Sequence, residues 1–258
     1  MAEAAMAAPS RALMLLELRA VPELFGFAAA LPTLTLVSPK SADTQPVMVI
    51  PGFITSDRST LALRTFLTLM GYPSYGWDQG RNYGPIPGVE NGLKNRLKDI
   101  ADKHGQRVSV IGWSLGGIYA RQLAKLMPEE TRQVVTLGSP FTGDPRHTNA
   151  WKLYQMASGH KVDDRDRHMG GAISEAPSVP TTAIFSRTDG VCAWQNCMEE
   201  EAGHTENIEV KGSHCGLGHN PAAVYAIADR LAQRDGDWKT FQPSGLKKML
   251  FPGAYGTR

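Results

Sequence analysis

Cysteine is scarce: three residues in a chain of 258, Cys192, Cys197 and Cys215, with no CxxC pair among them. So sparse and odd a set excludes a disulfide scaffold and leaves at least one thiol unpaired within the chain. An excess of charge is lacking too. The 27 basic and 25 acidic side chains leave a formal net charge of +2, too weak a field to imply a nucleic-acid partner. The stretch Met1–Ala8 lacks the basic start of a secretory signal, and a cytoplasmic protein is expected. No uninterrupted apolar run reaches the ~18–20 residues needed to span a bilayer. Residues 11–31 come nearest, but Arg11, Glu17, Arg19 and Glu23 interrupt them, and Pro22 is expected to break a helix there. Peripheral membrane contact through this segment is the membrane association left open.

What is present is an ordinary globular composition, 42% hydrophobic and 20% charged. A chain of this size buries roughly 70–75% of its unfolded surface, enough for a core without disulfides or metals. Residues 1–45 read as one or two short helices and a linker, and residues 46–258 as a single domain. From Pro46 onward strands and helices alternate. Val47–Ile50, Tyr72–Trp77, Arg107–Ile111, Gln133–Leu137, Thr181–Phe185 and Asn207–Lys211 read as short buried strands. Between them, Ser59–Met70, a stretch from Val89 to Gly105, and Leu115–Met127 carry apolar residues at three- and four-residue spacing. Asn220-Pro221 caps a last helix running to about Gln233. This alternation predicts an α/β fold, a mainly parallel sheet with helices on both faces. Residues 142–178 depart from the rhythm and read as a lid-like insertion after the strand that follows the Leu115–Met127 helix; a plain surface excursion is the alternative.

The chemistry-bearing pattern is Gly112-Trp113-Ser114-Leu115-Gly116, a G-x-S-x-G sequence set between an expected strand and an expected helix. So tight a turn needs residues without side chains two before and two after the serine. It lifts the hydroxyl clear of the sheet and aims the next helix's first amides at any anion formed there. A serine hydroxyl needs a base. Of seven histidines His214, in Gly212-Ser213-His214 after the last expected strand, is the best placed; His219 is the second choice. The base needs a carboxylate. Asp189, in Arg187-Thr188-Asp189-Gly190, gives the chain order Ser, Asp, His, with Gly190 expected to turn at positive φ; Asp144 is the competitor. A metal site at His214, Cys215 and His219 has no matching ligand cluster nearby in sequence, and neither a metal nor an organic cofactor is expected. With an unperturbed histidine, activity would rise around pH 6–7.

These motifs, with Pro51-Gly52-Phe53 after the first core strand, resemble the α/β-hydrolases of the bacterial esterase/lipase type over about residues 46–235. The resemblance implies the α/β-hydrolase fold and cleavage of carboxylic esters, through an acyl-enzyme on Ser114 with Asp189 and His214. It also implies an oxyanion hole from the backbone amides of Phe53 and Leu115. Many members have His-Gly where this chain has Pro51-Gly52. Trp77, Trp113, Phe141, Trp151 and Met156 could line an acyl pocket for a small-molecule or lipid-like ester, with Tyr154 beside them in the insertion; each could equally be core. Two other readings keep the fold: an acyltransferase using an alcohol or amine acceptor, and a non-catalytic binding module.

Overall fold

The computed structural model describes residues 7–41, 43–151, 155–156 and 171–255. The chain begins with α1 (Arg11–Leu15), a 3-10 turn (Leu16–Arg19) and α2 (Ala20–Val37). It continues through β1 (Val47–Ile50), α3 (Leu61–Leu69), β2 (Ser74–Gly76) and α4 (Val89–His104). Then follow β3 (Val108–Trp113), α5 (Leu115–Leu126), β4 (Thr131–Leu137), β5 (Thr181–Phe185), β6 (Thr205–Glu209), α6 (Pro221–Ala232) and β7 (Ala254–Tyr255).

Among the described residues the strands form one sheet in the order β2-β1-β3-β4-β5-β6-β7. All neighbours are parallel except β7, which runs against β6. Strand side chains alternate between the faces, and two cores follow from that. Val47, Val49, Ile111, Val135, Ile184 and Ile208 meet α2, α3 and α6 on one face. Met48, Ile50, Val108, Val110 and Val134 meet α4 and α5 on the other. The order reverses at β1, whose partners are β2 on one side and β3 on the other. In open parallel sheets a ligand sits outside the carboxyl ends of the strands at such a reversal. Here those ends are Ile50, leading into Pro51-Gly52-Phe53, and Trp113, leading into Ser114.

The N-terminal segment differs from the short helices expected. Arg11–Val37 forms one nearly continuous helical run of 27 residues, long and apolar enough by length and composition to cross a membrane. Pro22 does not break it, because the proline lies in the first turn of α2, just past the 3-10 turn. An amide hydrogen missing there costs little, and the tighter turn relieves the clash of the ring with the carbonyl four residues back. The helix joins the main core through Phe27 and Leu34, packed with Leu63, Phe66, Leu67 and α6.

Candidate active site

The elbow forms as the spacing requires. Ser114 has φ 54° and ψ −121°, a backbone conformation costly for a residue with a side chain, and it caps α5. Its amide donates to the Leu137 carbonyl at 2.8 Å, tying the turn to the end of β4. A side chain on Gly112 would collide with the backbone of Gly116 and Gly117, and one on Gly116 with the Ile50 carbonyl. The two glycines let the helix start against the strand ends.

Asp189 and His214 come together at the ends of β5 and β6. Asp189 Oδ2 lies 2.6 Å from His214 Nδ1, and both side chains are almost wholly buried. Asp189 Oδ1 accepts from the Val191 and Cys192 amides, each at 2.7 Å, so the carboxylate is fixed and its charge matched by donors. Burial opposes a charge on His214, but the Asp189 carboxylate and the Cys192 thiol beside it outweigh burial. Together they hold the imidazole pKa well above its ordinary value. The unperturbed value assumed for the histidine from sequence therefore does not hold in the structure. Asp144 takes a different part: exposed, it accepts from the Arg146 amide at 2.8 Å and caps the short turn Pro145–His147. Amide donation from Arg146 comes first among the causes that keep its carboxyl below the usual range. His219 is turned to the Ala20 carbonyl, 3.0 Å from its Nε2.

The loop after β1 lies against the serine: a β-carbon on Gly52 would sit 3.3 Å from that of Ser114. Phe53 follows in this loop, and Leu115 occupies the first position of α5, where helix amides have no intrahelical acceptor. The loop is held by Asn82, from the Arg81–Pro85 segment whose purpose is illegible in sequence. Asn82 Nδ2 donates to the Pro51 carbonyl at 2.9 Å. Its own carbonyl and amide pair with Ile54 N at 2.7 Å and Thr55 O at 2.8 Å.

Of the aromatic residues left open between acyl pocket and core, three are buried in packing. Trp77 is fully buried, stacked on Tyr119, with its indole nitrogen donating to the Gly80 carbonyl at 3.0 Å. Phe141 is fully buried beneath the Arg121 guanidinium, 3.8 Å from its ring centre. Trp113 donates its indole hydrogen to the His214 carbonyl at 3.0 Å and so braces the histidine loop. Trp151 is half-buried, Met156 is exposed, and Tyr154 lies outside the described residues. All three cysteines are free thiols. Donor atoms of Asp189, Cys192 and His214 lie within 4.8 Å of one another. Cys215 and His219, weighed in sequence as ligands with His214 and set aside, are not in that group.

Sequence reasoning missed Glu17. One oxygen of this carboxylate accepts from the Gly190 amide at 2.7 Å and the His214 amide at 2.9 Å, and the other from the Cys215 amide at 2.8 Å. Burial works against its charge, but these three donors and the nearby His214 outweigh burial and keep its pKa below the ordinary value. Arg19 and Glu23 complete the attachment. Arg19 donates to the Thr188 carbonyl and hydroxyl at 2.7 and 2.9 Å, and Glu23 accepts from the Ser213 amide and hydroxyl. Gly190 does not turn at positive φ; its missing side chain instead makes room for the backbone of Leu13 and Met14. The only signal in sequence was that Glu17, Arg19 and Glu23 fall inside an otherwise apolar segment. A cleft of about 390 Å³ beside this attachment is lined by Arg19, Glu23, Arg187, Lys211 and neighbours, but by neither Ser114 nor His214.

The strand order, the serine turn and the histidine–carboxylate pair define the α/β-hydrolase fold. Solved structures share it: Aspergillus fumigatus lipase B (TM-score 0.57, 18% identity, 75% of this chain and 54% of that one), a Bacillus licheniformis lipase in its mature form (0.52, 15%, 76% and 94%), and a pyrethroid hydrolase from Sphingobium faniae (0.52, 16%, 73% and 97%). A pimeloyl-[acyl-carrier protein] methyl ester esterase of Pectobacterium atrosepticum is 33% identical over 73 residues. That match spans 28% of this chain and 26% of the esterase. No family model matches the chain.

Proposed function

We propose that the protein is a serine hydrolase of carboxylic esters. The observation that carries the reading is Ser114 in a strained turn at the end of β3, with the Asp189–His214 pair at the ends of strands in the same sheet. In this mechanism His214 Nε2 takes the Ser114 proton as Oγ attacks the ester carbonyl, and returns it to the leaving alcohol. Asp189 holds Nδ1 protonated and steadies the imidazolium. The Phe53 and Leu115 amides receive the oxyanion, each such donor worth roughly 10²–10³ in rate. Water, activated by His214, then releases the acid. The lipases and esterase of similar fold or sequence favour ester substrates as a class.

The insertion at 142–178 is a cover over the acyl group in this reading. Its outgoing limb pairs with the acid loop, Thr148 bridging to Cys192 and the Asn149 amide donating to the Val191 carbonyl at 2.7 Å. Its return limb is fastened to α5, where Arg121, paired with Glu199, donates to the carbonyls of Ile173, Ser174 and Glu175. A fluorophosphonate probe mapped by mass spectrometry tests the proposal together with a panel of esters graded by acyl length. Labelling of Ser114, abolished in Ser114→Ala along with at least ~10³-fold of turnover, is expected. Labelling elsewhere, or turnover that survives the substitution, overturns it.

A further inference from the structure

The helical run Arg11–Val37 is turned inside out with respect to water. Its three internal charges, Glu17, Arg19 and Glu23, face the protein and are engaged with the loops that carry Asp189 and His214. Its outer side is apolar: Leu15 is 71% exposed, Leu18 78%, Phe25 71% and Leu36 79%, with Met14, Val21 and Leu24 beside them. At 1.5 Å per residue this face is ~40 Å long. Charge returns only at its ends, with the exposed Arg11 and Lys40. A water-facing helix carries the opposite arrangement, and an apolar patch of this extent marks an interaction site.

A second feature has the same character and lies on the same side of the sheet. The turn Gly245–Leu250 exposes Leu246 and Met249, 85% and 77%, around Lys247 and Lys248. Lys247 donates to the Tyr225 hydroxyl of α6, the helix against which α2 also packs. From Trp238 to the last residue there are lysines and an arginine but no acid. Both features pair exposed leucine and methionine with cations; neither exposes an acid, and Thr33 is the one exposed hydroxyl on the described helix, too little to fix a register with another protein.

We propose that this face is a docking surface for an anionic lipid bilayer, on which the helix lies flat. The apolar side chains enter the boundary between headgroups and acyl chains, and the exposed Arg11, Lys40 and Lys248 reach lipid phosphates. A flat pose leaves Glu17, Arg19 and Glu23 on their partners. A spanning pose would pull all three into hydrocarbon and strip the amides of Gly190, Ser213, His214 and Cys215 of their acceptors. Docking does not depend on the hydrolase reading, because its readout is binding and not turnover.

Flotation of the full chain with phosphatidylcholine vesicles containing phosphatidylglycerol tests it. The wild type should float with these vesicles, release at alkaline carbonate, and bind vesicles of phosphatidylcholine alone more weakly. Leu18→Glu/Phe25→Glu and the uncharged Leu18→Ser/Phe25→Ser should each weaken binding at least ~10-fold, with far-UV dichroism unchanged. A Phe25→Trp reporter should shift its emission to the blue on vesicle addition. Failure to float, flotation that both double variants retain, or resistance to carbonate overturns the proposal. So does a concentration-dependent dimer that both double variants abolish, which would assign the face to a second copy of the chain.

Discussion

A single carboxylate, Glu17, receives the backbone amides of three residues on the two loops that carry the proposed acid and base. Glu17→Gln keeps the shape but replaces one acceptor oxygen with an NH₂ that faces an amide donor, and it removes a negative charge near His214. Turnover should fall by about 10–100-fold with KM little changed, as when a group acting only through another is lost. The acid limb of the pH–rate profile should also move down, because the imidazolium loses a stabilising neighbour; an unmoved limb would reduce Glu17 to a purely structural tie. The folded-state pKa of Glu17 is depressed, so its contribution to stability is present above its unfolded value and is lost as pH falls through the lower folded one. The same profile tests Asp189. The His214 pKa is raised and only neutral imidazole acts as base, so activity in the wild type should climb at a pH above the ordinary 6.5. Asp189→Asn should lower turnover by up to ~10⁴-fold, whereas Asp144→Asn, which loses only a turn cap, should cost far less. The reverse ranking in purified, folded variants would move the role to Asp144. The strained turn at Ser114 and the pairing of Asp189 with His214 were legible because each residue stands in a short motif at a strand end. Glu17 was not, since nothing local distinguishes a carboxylate that caps three distant amides from one that faces water.

Between elements, the connection that matters most is the one from the Arg81–Pro85 loop to the loop after β1. Asn82 is fully buried and bonds to the backbone of Pro51, Ile54 and Thr55, on both sides of Phe53. Asn82→Ala removes the side-chain bond to Pro51 and the acceptor for the Gly84 amide, which is 3.1 Å away. The loop that sets Gly52 against Ser114 is then held less firmly, and, if Phe53 serves the proposed oxyanion hole, kcat should fall about tenfold or more while ground-state binding changes little. Steady-state kinetics on one soluble ester decide this, and a loss confined to KM would contradict it. The β–α alternation was legible because the strand runs are apolar and the helices keep their period. Where polar residues are buried, the pattern misleads. The strand expected at Asn207–Lys211 forms at Thr205–Glu209, two residues earlier, because Glu206 is neutralised by Arg230 of α6 at 3.0 Å and bonded by Thr182. β7, two residues long, carries no periodic signal at all.

At the scale of the whole molecule, the N-terminal helix and the sheet share one core. Phe27 and Leu34 are 3% and 7% exposed, packed in the cluster that also contains Leu63, Phe66, Leu67 and the apolar face of α6. The sequence suggested a boundary near residue 45, because a Ser/Pro/Asp stretch separates the leucine-rich start from the regular alternation that follows. Composition reports the connecting segment and not what its two sides touch. A shared core makes a distinct prediction. Phe27→Ala should remove about 3–5 kcal/mol from the stability of the entire chain, through lost burial and the cavity left behind. At roughly 2–4 °C per kcal/mol for a chain of this size, the single unfolding transition should drop by on the order of 10 °C. Calorimetry and tryptophan fluorescence should report the same shift. All five tryptophans lie outside the helix, so a separately folded N-terminal unit would leave their transition unmoved. Turnover measured at a temperature where the variant is fully folded should change much less than in Glu17→Gln. Phe27 fixes the helix to the core, whereas Glu17, with Arg19 and Glu23 beside it, holds the loops of Asp189 and His214.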